Sequence, residues 1–284
     1  MGIAAMHDSH AHIISDNLAK YPAANPDDPK VAEVLNDPFP AERLIEEMTS
    51  CGVSKALVVQ RGQIYGFDNS YVIDAAKASN GKLKAVCNVD VSQSACGDEV
   101  RKLHTSGAAG FRLMANIQDK TFNWLDGPNA PAFWSAVSDL CVPVCVHFFV
   151  WNRDEGLTRL ETLLDKYPVT QLVIDHLTNG PIGNEVDSGI DDLVRRMGDR
   201  ANVSLKFTSI PLNSLAERQL DASRVLDAYL AIFSADRLLW GSDVTQSKGS
   251  YAEMVARGRQ AVERFPQDIQ TKLLEANVAR IYNL

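Results

Sequence analysis

The sequence has no window approaching about 20 consecutive apolar residues, so no transmembrane helix is predicted. Positive charge is also short: 28 Lys and Arg stand against 36 Asp and Glu, a net charge of −8. Neutralising nucleic-acid phosphates or an anionic membrane needs a basic face, so neither partner is expected; a small basic pocket stays possible. Cysteine is sparse and odd in number. Cys51, Cys87, Cys96, Cys141 and Cys145 lack the paired spacing of a zinc ribbon. Cys141 and Cys145 bracket an apolar run, where free thiols behave as small core hydrophobes. No glycine-rich phosphate loop follows an early strand, which argues against a nucleotide-binding doubly wound sheet. Residues 1–6 show neither a basic-then-apolar leader nor the Ser or Thr of a myristoylation signal, so a cytoplasmic protein is expected.

What the chain does have is length and alternation. Its 284 residues, 45% hydrophobic, suit one large barrel or two smaller domains. Short apolar runs read as strands at Ile3–Met6, Ala56–Val59, Leu83–Val91, Ala108–Met114, Val142–Phe149, Leu172–Asp175, Val203–Phe207 and Leu238–Trp240. Continuous apolar strands are buried on both faces, as in a parallel sheet covered by helices. Amphipathic segments fall between them: Pro40–Ser50, Asn69–Ala78, Asp98–Thr105, Ala130–Leu140, Gly156–Lys166, Ile190–Met197, Ala222–Phe233 and Tyr251–Phe265. Gln267–Tyr282 adds a closing helix. Eight strand–helix pairs predict a single-domain α/β fold, a (β/α)8 TIM barrel over residues 1–284 with an extra C-terminal helix. A long proline-bearing stretch, Ile14–Phe39, is a candidate lid; Thr178–Ser188 and Ser209–Leu220 are further candidate loops.

In such a barrel the chemistry gathers where strands end. His10 and His12 form an H-x-H directly after the expected first strand, and residues i and i+2 face the same way. His147 ends strand five, His176 ends strand six and Asp243 follows strand eight. Any one of these histidines taken alone reads more readily as a hydrogen-bonded core residue. Four of them with an aspartate at one end of four strands suit zinc or a related divalent ion. Basic residues share that end: Arg112 on strand four, Lys206 on strand seven, Arg61 after strand two and Arg153 past strand five. Each could bind an anion or pair with an internal acid. Tyr65, Phe148, Phe149 and Trp151 could wall a flat ring or simply pack.

The order of DSHAHI, Val59-Gln60 with Tyr65–Asn69, Gly110-Phe111-Arg112-Leu113, VIDHL at 173–177 and LWGSD at 239–243 resembles the metal-dependent amidohydrolase superfamily, from about Asp8 onward. It is most similar to the branch with pyrone-dicarboxylate lactonase, sulfomuconolactone hydrolase and sugar-acid lactonases. The resemblance implies hydrolysis of a small carboxylate- or sulfonate-bearing lactone. One divalent ion, zinc by preference, would be held by His10, His12, His147 and Asp243. Asp243 would also shuttle the proton of the attacking water, and His176 would polarise the carbonyl or help hold the ion. Arg112, Lys206, Arg61 and Tyr65 would bind the substrate.

Some positions depart from the branch. Val244-Thr245 stands where Trp-Pro is common, and Arg61 where a small residue or proline is expected. Arg112 replaces the strand-four lysine of binuclear members, which favours one metal or none, and some lactonases of the branch work without metal. Two alternatives stay open: a zinc-dependent non-oxidative decarboxylase of a small unsaturated or aromatic acid, which shares the ligand set, and non-catalytic binding of an anionic metabolite. Oligomerisation is not readable from the sequence.

Overall fold

The computed structural model describes residues 5–115, 121–184 and 186–284. Eight parallel strands run in sequence order around a nearly closed (β/α)8 barrel: β1 His7–Ala11, β2 Lys55–Val59, β3 Leu83–Asn88, β4 Ala108–Met114, β5 Val144–His147, β6 Leu172–Ile174, β7 Val203–Thr208 and β8 Leu238–Gly241. Among the described residues no helix is long and apolar enough to cross a membrane.

Strand alternation sorts the interior into tiers. Leu57, Val59, Val86, Val173 and Leu239 pack with Val278, Ile281 and Tyr282 into a small core of their own, separate from the larger one between strands and helices. That small core is the barrel floor. Gly110 lies beside it, and a Cβ there would come within 2.8 Å of the Tyr282 ring and 3.0 Å of the Pro143 carbonyl. Only glycine lets the closing helix seat its aromatic plug. Two residues further along the same strands the interior turns polar, with Asn88, Arg112 and Asp175.

The ends of the sheet meet through side chains as well as backbone. Asp8 Oδ1 accepts from the Ser242 and His10 amides, both at 2.9 Å, and Tyr251 donates to Oδ2 at 3.2 Å. The Asp243 amide donates to the His10 carbonyl at 2.6 Å. A Cβ at Gly241 would lie 2.6 Å from the His10 Cβ, so glycine is what lets β8 approach β1.

Several expectations need correction. Of the expected first strand, Ile3 and Ala4 lie outside the described residues, and the observed strand starts at His7, so the H-x-H begins inside β1. A register shift against β2 between Asp8 and Ala11 marks a bulge there. β4 ends at Met114 as expected and β7 runs one residue further than expected, to Thr208, so Arg112 and Lys206 sit below the strand ends. Ser209–Glu217 is helical, with Pro211 in the first turn where no intrahelical donor is needed. The 14–39 stretch carries a helix at Pro29–Leu35, capped by Asp28, with proline in its first position. The closing segment is helical throughout but includes a π turn at Lys272–Ala276.

Candidate active site

The four histidines and Asp243 converge at the top of the barrel. The His10 and His12 rings lie edge to face at 4.9 Å, His10 and His176 at 5.3 Å, and His147 and His176 at 4.9 Å. Asp243 Oδ1 is 3.5 Å from both His10 Nε2 and His12 Nε2. His176 reaches this group by breaking strand alternation. After β6 the backbone from His176 to Asn179 has φ between 49° and 66°, a left-handed turn that lets the consecutive Asp175 and His176 both face inward. Such backbone is costly for non-glycine residues and clusters at functional sites. Thr208 Oγ1, 2.6 Å from His176 Nδ1, fixes the ring.

These groups suit a cation. His12 Nδ1 donates to the Val59 carbonyl at 2.7 Å, and His10 Nδ1 faces the Asp175 carboxylate at 3.2 Å. Both arrangements leave Nε2 with a lone pair toward Asp243. His10 Nε2, Asp243 Oδ1 and both His147 nitrogens are enclosed and lack a hydrogen-bond partner. Burial lowers the pKa of all four imidazoles, His10 and His147 most clearly, and so holds them neutral. Burial would raise Asp243, and the net lowering of its carboxyl reflects the protonated forms of His12, His176 and His10, a positive charge that a bound cation would supply instead. An ionised Asp243 wants positive charge among rings that burial keeps neutral. A divalent ion held by His10, His12 and Asp243 satisfies both, and their nitrogen and oxygen donors suit zinc. His147 and His176 form an adjacent group with Asp175.

Beneath lies a hub that the sequence analysis did not single out. Asp175 accepts from Arg112 Nε at 3.0 Å and from Cys145 Sγ at 2.8 Å, with Lys206 Nζ at 3.4 Å. Burial would raise its pKa, but His10, Lys206 and Arg112 together hold it well below the carboxylate range. Lys206 is fully enclosed, with His10 Nδ1 at 3.1 Å and Cys145 Sγ at 3.3 Å. Its ammonium is engaged inside the barrel, below the mouth. The signal for this hub was alternation: Cys145 lies two residues before His147, and Lys206 two before Thr208. Asp8 carried a similar hint, two residues before His10.

The remaining candidates divide. Arg61 is buried and donates from Nη1 to Thr245 Oγ1 at 2.9 Å. The Tyr65 hydroxyl accepts from the Ser15 amide at 2.8 Å and so ties down the start of the 14–39 stretch. Arg153 is consumed by Asp191 at 2.6 Å, Asp154 at 2.7 Å and Thr178 at 3.1 Å, so it braces the left-handed turn. Phe148 is core, while Phe149 stacks on Trp151 with centroids 6.0 Å apart.

The amidohydrolase family model matches residues 7–284. The chain belongs to the amidohydrolase family. It is therefore a hydrolase. Among curated relatives, the 4-sulfomuconolactone hydrolase of Rhizobium radiobacter is 24% identical over 98% of this chain and 89% of its own length. The L-fucono-1,5-lactonase of Burkholderia ambifaria is 24% identical over 90% of this chain and 89% of its own. An amidohydrolase from Burkholderia multivorans, solved with bound zinc, has the same fold at a TM-score of 0.74 and 20% identity, covering 99% of this chain and 100% of that one.

Proposed function

We propose that this amidohydrolase opens a small anionic lactone by adding water to the ring carbonyl. The observation that carries this reading is the position of Asp243: ionised, with Oδ1 partnerless between two histidine lone pairs and Oδ2 held by the Ser247 hydroxyl at 2.7 Å. One oxygen is anchored and the other faces the histidines, where an ion and its water would sit. The names of the two lactone-cleaving relatives support the same substrate class.

A divalent ion bound by His10, His12 and Asp243, with His147 beside it, would lower a water's pKa to about 7. The protein's own groups do the rest. As the water oxygen bonds to the carbonyl carbon, Asp243 takes a water proton. It returns that proton to the ring oxygen as the acyl carbon–oxygen bond breaks, so lactone and water become one hydroxy acid. His176, oriented by Thr208, faces the carbonyl oxygen and stabilises its developing charge. Arg112, fixed at Nε by Asp175, turns its guanidinium toward the substrate's anionic group. Lys206 acts indirectly, as a positioning residue for Asp175.

The test is a panel of carboxylated and sulfonated lactones offered to the purified protein with and without chelator. Ring opening to the hydroxy acid, lost in Asp243→Asn, is the expected result. Release of carbon dioxide from an unsaturated or aromatic acid, with no ring opening, would replace this reading with a decarboxylase. Metal analysis should find about one divalent ion per chain, reduced in His10→Ala and His12→Ala.

A further inference from the structure

Three arginines among the described residues are buried: Arg61, Arg112 and Arg153. Two are matched to carboxylates, Arg112 to Asp175 and Arg153 to Asp154 and Asp191. Arg61 is only 6% exposed and makes no ion pair among the described residues. Its single hydrogen bond is to the neutral Thr245 hydroxyl, and its Nε is enclosed with no partner at all. A buried guanidinium is strongly disfavoured unless something compensates its charge. Arg61 follows Val59, whose carbonyl holds His12 Nδ1, by two residues, and its Nη1 meets Thr245, two residues past Asp243. Arg61 therefore belongs to the same mouth.

Thr245 supplies a second, independent observation. Its φ is 69°, a left-handed conformation that is an outlier for a β-branched residue. Strain of this kind persists where surrounding structure uses it, and here it presents the hydroxyl to Arg61. Two of the positions at which the sequence departs from its family branch, Arg61 and Thr245, meet here.

We propose that Arg61, aimed by Thr245, forms a second anion subsite on the β2–β8 side of the mouth, so that the substrate is a dianion bridging Arg61 and Arg112. This rests on the lactone reading for what is turned over, but the subsite itself can be tested by binding alone. Arg61 would meet one anionic group through its free donors, a fork that suits carboxylate or sulfonate. Thr245 is a positioning residue, since it acts through Arg61.

Titration calorimetry of the purified protein with isophthalate and with benzoate compares two carboxylates on a flat ring with one. The expected result is isophthalate binding about 10-fold or more tightly than benzoate, as one added charge-assisted contact allows. Arg61→Met should bring the two acids to within about 2-fold while leaving benzoate affinity unchanged, and Thr245→Val should erode the preference partly. Because Arg61 has no carboxylate partner to strand, Arg61→Met should melt no lower than the parent. Equal binding of the two acids by the parent, no binding of either, or a parallel loss of both in Arg61→Met would overturn the subsite. Arg61-dependent binding in a protein that opens no lactone would sink the lactone reading and leave the subsite standing.

Discussion

Asp175 and Lys206 lie 3.4 Å apart with both side chains fully enclosed, and the same carboxylate also holds Arg112 and faces His10. One buried acid thus anchors two buried cations and one candidate metal ligand. Asp175→Asn keeps the volume but strands both cations. The expected loss is about 3–5 kcal/mol in urea unfolding, the usual cost of breaking a buried ion pair from one side.

The same group sets the acid limb of stability. Its folded pKa is lowered, so its contribution is present above the unfolded carboxylate value of about 3.9 and is lost as pH falls toward the folded value. Parent stability should therefore decline from about pH 5 downward, and Asp175→Asn should decline less steeply over that window. Parallel slopes in the two proteins would remove Asp175 from this role.

At the seam, Asp8→Ala leaves the Ser242 and His10 amides without their acceptor. Each buried donor left unsatisfied costs about 1–3 kcal/mol. Because the seam joins the strand of His10 and His12 to the segment of Asp243, metal content should fall along with thermal stability. Tyr251→Phe, which removes only one hydrogen bond to Asp8, should cost about 1 kcal/mol and leave metal content unchanged.

Gly110→Ala should destabilise the fold by about 1–3 kcal/mol, because its methyl group meets the Tyr282 ring and a fixed carbonyl. A Tyr282→Leu background removes the ring but not the carbonyl. Part of the penalty should therefore disappear, giving a coupling of about 0.5 kcal/mol or more in a double-mutant cycle.

Thiol chemistry offers a simple check of the buried hub. Burial and the Asp175 charge push the Cys145 thiol up to about 12, and burial pushes Cys87 to about 12, while Cys141 is exposed. Iodoacetamide at pH 8 should label Cys141 in the native protein and leave Cys145 and Cys87 unmodified until denaturant is added, as peptide mass spectrometry would show. This also corrects the expectation of a buried thiol at Cys141.

The sequence revealed apolar strands well and polar ones poorly. Ala108–Met114 matches β4 end to end, because its hydrophobic run is the strand. β1 was displaced because HDSHA is buried for its chemistry and has no apolar signal. The helix at Ser209–Glu217 was hidden by a proline that the first turn tolerates. The four histidines and Asp243 were found by their places at strand ends. Asp175 was passed over because consecutive residues of a strand should face opposite ways; the left-handed turn that overrides this rule has no residue signature in His176-Leu177-Thr178-Asn179.

The barrel floor bears on how this chain can be made. Val278, Ile281 and Tyr282 come after all eight strands in the sequence, yet they close the interior from below. Strands that assembled before these residues emerged during synthesis would enclose an unplugged apolar hollow beneath buried charges. Such an intermediate would be open to water and to other chains. Slowing translation as the closing helix is made, or deleting that helix, should trap a chaperone-dependent species that already has most of its secondary structure.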